Sequence, residues 1–154
     1  MDEFNKQTIR DIDVHGKTIL VHAELDAPLD QKTHSVTSNF RINASLPTIE
    51  YLKKEDCKII LISKLGRPAG KVDPGLSLRP VAETLSKLLG QEVGFVSDCV
   101  GPEVKKAAQL MKGGDVLVLE NLRFHPEEKA NDKNFAKKIA TDTGAEVFVA
   151  DCFA

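Results

Sequence analysis

The stretch that most constrains the fold of this chain is residues 58–68, K-I-I-L-I-S-K-L-G-R-P. It opens with an aliphatic run, I-I-L-I, and polar residues follow at once. A short apolar run of this kind is typical of a central strand in a parallel sheet that is covered on both faces. Pro68 cannot continue a hydrogen-bonded ladder, so the strand must end before it. The stretch therefore predicts a central strand that carries Lys64 and Arg67 to the carboxyl edge of a sheet, where ligands bind.

The rest of the chain alternates between predicted strands and predicted helices. Strands are predicted at residues 18–25, 58–63, 92–97, 115–120 and 146–152. Helices are predicted at residues 41–55, at 78–89 between an N-cap at Ser77 and a closing glycine at Gly90, at 102–112, and after a cap at Asn131 or Asp132. Residues 29–40 lack a clear period and are predicted to form a loop or a small hairpin. Alternation of this kind predicts a three-layer α/β/α fold around a parallel sheet.

Composition narrows the class of protein. A length of 154 residues is that of one domain. The net charge of −2 argues against a nucleic-acid-binding surface, and no stretch is apolar enough to span a membrane. The three cysteines are odd in number and widely spaced, which indicates neither a disulfide framework nor a zinc site. These features favour a cytoplasmic protein that binds neither nucleic acid nor membranes.

Cationic side chains follow several of the predicted strands. Lys64 and Arg67 come after the second strand, Arg123 comes after the fourth, and Arg41 lies soon after the first. Arginine and lysine suit phosphate and carboxylate groups. Any one of these residues alone is more often a solvated or ion-paired loop residue. Their joint placement at one sheet edge predicts a site for a small anionic molecule.

Other patterns give weaker indications. The segment G-R-P-A-G-K is one residue short of a phosphate-binding P-loop, and the histidines lack metal-ligand spacing, so no metal site is predicted. Glu24 and Asp26, with Ser63 after another strand, faintly resemble haloacid-dehalogenase phosphatases. Those enzymes need an aspartate where Glu24 stands. An interpretation in which Glu24 and Asp26 pair with neighbouring arginines is preferred.

Four motifs resemble the N-terminal half of phosphoglycerate kinase. They are T-I-R-D at 8–11, S-K-L-G-R-P at 63–68, S-D-C-V-G at 97–101 and E-N-L-R-F-H-P-E-E at 120–128. The resemblance covers essentially the whole chain. It implies a Rossmann-like lobe that binds 3-phosphoglycerate, with magnesium nucleotide bound by a separate C-terminal lobe. The implied activity is phosphoryl transfer between 1,3-bisphosphoglycerate and ADP in glycolysis.

The resemblance also implies roles for particular residues. Arg41 matches the arginine thought to steady the transferring phosphoryl group, and it is the one catalytic residue predicted. The implied substrate-binding residues are Glu24, Asp26, Arg41, Lys64, Leu65, Gly66, Arg67 and Arg123. No cofactor-binding or metal-binding residue is implied within this chain.

The chain departs from the family motifs at several of these positions. Residues 21–28 read V-H-A-E-L-D-A-P, whereas the family usually reads V-R-x-D-F-N-x-P. Glu24 and Asp26 therefore stand where an aspartate and an asparagine are usual. Lys64 replaces a histidine, and A-D-C-F-A at 150–154 replaces N-D-A-F-G. Asp26 removes amide donors and adds a charge that repels a phosphorylated acid.

The resemblance makes residues 1–154 an incomplete N-terminal domain without its last strand and without the nucleotide lobe. The missing strand predicts an undercovered edge or face, with low stability or self-association as a consequence. Three interpretations follow. The first is the substrate lobe of a phosphoglycerate kinase, inactive alone, with a complementing C-terminal lobe as its candidate partner. The second is a degenerate non-catalytic binding module of the same fold, and the third is an unrelated phosphatase-like enzyme.

Overall fold

Five parallel strands form the sheet that the sequence predicts. A computed structural model describes residues 6–152, with strands β1 (Thr18–Ala23), β2 (Lys58–Ile62), β3 (Val93–Val96), β4 (Val116–Leu119) and β5 (Val147–Asp151). The strands lie in the order β3-β4-β2-β1-β5, and each neighbouring pair is parallel. The apolar run at residues 58–62 is the central strand, as predicted. Two residues of the last motif compared above, Phe153 and Ala154, lie outside the described residues.

Helices cover both faces of the sheet, which confirms the three-layer α/β prediction. The first face packs against α1 (Phe40–Lys54) and α2 (Arg79–Leu89), and the second against α3 (Pro102–Leu110) and α5 (Lys133–Thr143). A short helix, α4 (Pro126–Lys129), follows a 3-10 turn at Leu122–Phe124. Another 3-10 turn, Pro74–Leu76, precedes α2.

The central strands are apolar on both faces because each face has its own hydrophobic core. In β2, Ile59 and Leu61 pack into the core under α1 and α2, whereas Ile60 and Ile62 pack into the core under α3 and α5. Successive side chains of a strand point to opposite faces, so a covered strand needs apolar residues at every position. Burial of each such side chain contributes about 1.5–3 kcal/mol, which makes β2 the main anchor of the fold.

The strands are one or two residues shorter than predicted, and at the ends of β1 and β2 a side chain takes over the hydrogen bonding. The Ser63 hydroxyl donates to the carbonyl of Ala23 (2.7 Å) and accepts from the amide of Leu25 (3.1 Å). It thus replaces the backbone ladder between β1 and β2 at their carboxyl ends. Beyond this point the segments that follow β1 and β2 diverge, and their polar residues lie at the carboxyl edge of the sheet.

One helix boundary differs from the sequence-based expectation. The N-cap residue of α2 is Leu78, not Ser77. Ser77 Oγ still accepts from the amide of Arg79, and Glu120 accepts from the amide of Leu78, so a distant carboxylate supplies part of the cap. Predicted boundaries at Asp132 and Gly90 are confirmed as the caps of α5 and α2.

The second face of the sheet is incompletely covered beside its edge strand. Phe148 of β5 is 59% exposed, and a groove of about 590 Å³ lies between β5 and α5.

Residues 29–40 are predicted to form a loop or a small hairpin, and an antiparallel bridge between Leu29 and Val36 supports the hairpin. None of the helices in the described part of the chain is both long and apolar enough to cross a membrane.

Candidate functional site

A buried asparagine organises the carboxyl edge of the sheet. Asn121 is fully buried directly after β4. Its Oδ1 accepts from the amides of Leu65 (3.1 Å) and Arg123 (3.0 Å), and its Nδ2 donates to the carbonyls of Leu65 (2.7 Å) and Leu76 (2.9 Å). One side chain therefore joins three segments that are distant in sequence. It fixes the loop that follows β2 against the turn that follows β4.

Glu120 connects the same edge to the start of α2. Its carboxylate accepts from the Ser77 hydroxyl (2.7 Å) and from the amides of Leu78 (2.9 Å) and Asn121 (2.8 Å). The residue is 7% exposed, so this charge is held by hydrogen bonds in a largely buried place. The sequence placed Glu120 and Asn121 at a strand end but gave no signal of these structural roles.

Arg41 is paired with both acidic residues that depart from the family motif. Its Nη1 lies 2.5 Å from Glu24 Oε1 and 2.9 Å from each carboxylate oxygen of Asp26. This geometry confirms the interpretation that Glu24 and Asp26 pair with a neighbouring arginine. The charge of Arg41 is therefore offset by two carboxylates, while the side chain remains 43% exposed.

Lys64 and Arg123 line one small cavity at the sheet edge. The cavity, of about 190 Å³, is also lined by Ser63, Glu24 and Asp26, among others. Lys64 Nζ lies 3.7 Å from a carboxylate oxygen of Glu128, outside hydrogen-bond distance. The cavity thus combines two cations with two carboxylates.

A hydrogen bond between two loops sets the position of Arg123. Its Nη1 donates to the carbonyl of Gly66 (2.7 Å). Gly66 has φ of +61°, and a Cβ there would lie 2.6 Å from Leu76 Cδ2, so both the backbone conformation and the space favour glycine. The S-K-L-G-R-P loop therefore holds Arg123 through its backbone.

The predicted cations do not all line one cavity in the described part of the chain. Arg67 and Arg123 line a cavity of about 700 Å³ with His125 and Lys129. Arg41 lines another, of about 650 Å³, with Leu65 and Gly66. Arg123 lines both the 190 Å³ and the 700 Å³ cavity, and Asp26 lines both the 190 Å³ and the 650 Å³ cavity. The prediction of a single anion site is thus reduced to a group of adjoining cavities.

The comparison with known proteins decides the family. Residues 9–154 match the sequence family described as phosphoglycerate kinase. The chain belongs to the phosphoglycerate kinase family. The resemblance carried by the four motifs is thereby confirmed, and the phosphatase-like alternative loses its basis.

Phosphoglycerate kinases from several organisms are similar to this chain. The chain is 51% identical over 148 residues to phosphoglycerate kinase of Moorella thermoacetica, covering 96% of this chain and 37% of that protein. It is 50% identical over 148 residues to that of Aquifex aeolicus, covering 96% and 36%. The crystal structure of phosphoglycerate kinase from Pyrococcus horikoshii superposes with a TM-score of 0.84 at 28% identity, covering 97% of this chain and 37% of that one. The chain thus spans little more than a third of the phosphoglycerate kinases it matches.

The chain contains one potential metal-ligand cluster among its described residues, which sequence spacing did not reveal. Ligand atoms of Asp98, Cys99 and His125 lie within 4.8 Å of one another. The Asp98 carboxylate is already hydrogen-bonded to His125 Nε2 (2.8 Å). Burial, with the charge of Asp98 adding to it, raises the pKa of Cys99 to about 12. A protonated thiol and an imidazole do not suit magnesium, which prefers oxygen ligands, so this cluster does not fit the family's magnesium nucleotide.

Proposed function

We propose that this chain is the 3-phosphoglycerate-binding lobe of a phosphoglycerate kinase, residues 1–154 being an incomplete N-terminal domain. The observation that carries the proposal is the placement of Lys64 and Arg123 in one cavity at the carboxyl ends of parallel strands. Ligands bind at this edge in open α/β sheets, and both side chains suit phosphate and carboxylate groups. Membership of the family supports the choice of ligand.

Each cation has its own part in this proposal. Arg123 is held by the Gly66 carbonyl, so it meets an anion with little further ordering. Lys64 contributes a point charge that Glu128, 3.7 Å away, only partly offsets. Arg67 approaches from the adjoining cavity, which Arg123 also lines. Arg41 must leave Glu24 and Asp26, at least in part, to contact a phosphoryl group.

Binding of 3-phosphoglycerate is expected to be weak, with a Kd near 1 mM, about −4 kcal/mol. The two carboxylates in the cavity offset part of the attraction of the cations. Arg67→Ala and Arg123→Ala are each expected to weaken binding by about five- to tenfold, because each removes a partly solvent-screened contact of about 1–1.4 kcal/mol. The measurement is an NMR titration of each variant beside the wild type.

An exposed cation on the opposite end of the molecule supplies the control. Lys87→Ala removes a charge from the last turn of α2 and should leave the Kd unchanged. Binding should also weaken with added salt, because exposed charges are screened. Absence of shifts in the wild type, or equal titration of the two arginine variants and the wild type, would refute the proposed anion site.

Phosphoryl transfer is expected to require more than these 154 residues. In the proposed enzyme, the magnesium nucleotide supplies the phosphoryl donor or acceptor from a second lobe, and in-line transfer needs both substrates positioned. A coupled assay with ATP and 3-phosphoglycerate should give only the background rate. Addition of a separately prepared C-terminal lobe of a relative tests complementation. Turnover proportional to this chain alone would contradict the prediction.

A degenerate binding module of the same fold is the second candidate function. The pairing of Arg41 with two carboxylates favours it, because this arrangement occupies the residue matched to phosphoryl transfer. The titration distinguishes the substrate lobe from the degenerate module. In a degenerate module, Arg123→Ala should not change the binding of 3-phosphoglycerate. A cytoplasmic location and an anionic small-molecule partner remain parts of the proposal.

A further inference from the structure

The small cavity also contains a cysteine–histidine pair to which the proposed function gives no role. Cys152 Sγ lies 3.6 Å from Nδ1 of His22. The two residues are 130 positions apart and meet because β1 and β5 are neighbouring parallel strands. Both line the same cavity as Lys64 and Arg123. At both positions the chain departs from the family motifs compared above, in which arginine and alanine are usual.

The histidine is a neutral hydrogen-bond acceptor beside the thiol. Burial lowers the pKa of His22 below its usual value, and the charge of Lys64 lowers it further, while Glu128 opposes the shift. The imidazole is therefore neutral at pH 7, and a neutral imidazole has one nitrogen that accepts hydrogen bonds. At 3.6 Å, Nδ1 is within reach of the thiol proton of Cys152.

The other two cysteines differ from Cys152 in burial. Cys57 and Cys99 are completely buried, whereas Cys152 is exposed. Burial raises the pKa of both buried thiols, in Cys99 to about 12. Since the thiolate is the attacking species, the two buried residues should be inert in the folded protein. They serve as internal controls for the exposed one.

We propose that Cys152 is a modification site for anionic disulfides, with His22 accepting its proton and with Lys64 and Arg123 attracting the reagent. The thiol proton passes to Nδ1 of His22 as Sγ attacks one sulfur of the disulfide. A new S–S bond forms, the S–S bond of the reagent breaks, and the second half leaves as a thiolate that is protonated by the imidazolium or by water. The sulfur of Cys152 is oxidised and the leaving sulfur is reduced.

Modification has a consequence for the anion site. The adduct attached to Cys152 would occupy the cavity that contains Lys64 and Arg123. This consequence rests on the proposed function, because it matters only if that cavity binds 3-phosphoglycerate. The modification itself does not depend on it, since the reaction needs no substrate.

The test measures the rate of mixed-disulfide formation at pH 7 with oxidised glutathione, which is anionic, and with neutral bis(2-hydroxyethyl) disulfide. Mass spectrometry with peptide mapping assigns the adduct among the three cysteines. In the folded protein, Cys152 should react at least ~10-fold faster with oxidised glutathione than the same residue in the urea-unfolded chain. Cys57 and Cys99 should remain unmodified until the protein unfolds.

Matched variants separate the contributions of the two neighbours. His22→Gln should slow both reagents by ~10-fold or more, whereas His15→Gln, at an exposed histidine outside the cavity, should have no effect. Lys64→Gln should slow oxidised glutathione alone by roughly threefold or more, and Lys87→Gln should slow neither reagent. Equal rates for Cys152 in the folded and unfolded chains would overturn the proposal, as would equal effects of the variants and their controls. If labelling follows the expected pattern but 3-phosphoglycerate does not bind, only the proposed function fails.

Discussion

Asn121→Ala is expected to lower the free energy of unfolding by about 4 kcal/mol, because four backbone groups lose their partner. These are the amides of Leu65 and Arg123 and the carbonyls of Leu65 and Leu76. A buried group left without a hydrogen bond costs about 1–3 kcal/mol, and water that enters from the nearby surface recovers part of the sum. The measurement is urea unfolding followed by circular dichroism.

An exposed asparagine provides the control for this substitution. Asn134 lies in α5 and is exposed, so Asn134→Ala should change the free energy of unfolding by no more than about 0.5 kcal/mol. Asn121→Ser keeps one polar group and should fall between the two. If Asn121→Ala and Asn134→Ala have similar effects, Asn121 does not organise the sheet edge.

The double variant Glu24→Gln/Asp26→Asn is expected to bind 3-phosphoglycerate about 10–30-fold more tightly than the wild type, a gain of about 1.4–2 kcal/mol. It removes the two carboxylates that hold Arg41 and that also line the cavity of Lys64 and Arg123. Arg41 then has a free guanidinium for the ligand, and a phosphorylated acid no longer meets like charges. The gain should be greatest at low ionic strength, because screening weakens all of these interactions.

A change in net charge alone could also strengthen anion binding, so the control carries the same change elsewhere. Glu83→Gln/Glu92→Gln removes two exposed carboxylates, one in the middle of α2 and one directly before β3, and neither follows the carboxyl end of a strand. It should alter the Kd by less than about twofold, since these charges are solvent-screened. An equal gain in both double variants would show that the ion pairs of Arg41 do not limit binding.

The sheet could be predicted because its information is local. The runs that form β2 and β4 are apolar at every position, and such runs are required only where both faces are covered. The caps at Asp132 and Gly90 likewise depend on a few neighbouring residues. Each of these features can be read within about ten residues of sequence.

For the candidate site, the sequence predicts which types of residue lie at the strand ends but not which contacts they make. Which residues are polar at strand ends is visible in the sequence, but which partner each of them takes is not. Asn121 bonds to Leu65 across 56 positions, and Cys152 meets His22 across 130. Such contacts follow from the strand order, which no local pattern encodes. The pairing of Arg41 with Glu24 and Asp26 was foreseen because these residues follow one another closely around the end of β1.

The position of β1 between β2 and β5 has a consequence for the order in which this protein is made. β2 leaves the ribosome about 40 residues after β1, whereas Glu146, which accepts from the amide of Thr18, follows it by 128 residues. At roughly 5–20 residues per second, one edge of β1 waits about 6–25 seconds for its neighbour. Until then it presents unpaired amides and carbonyls that another nascent chain can occupy. Pairing with β5 therefore ends the period in which this edge of β1 is exposed.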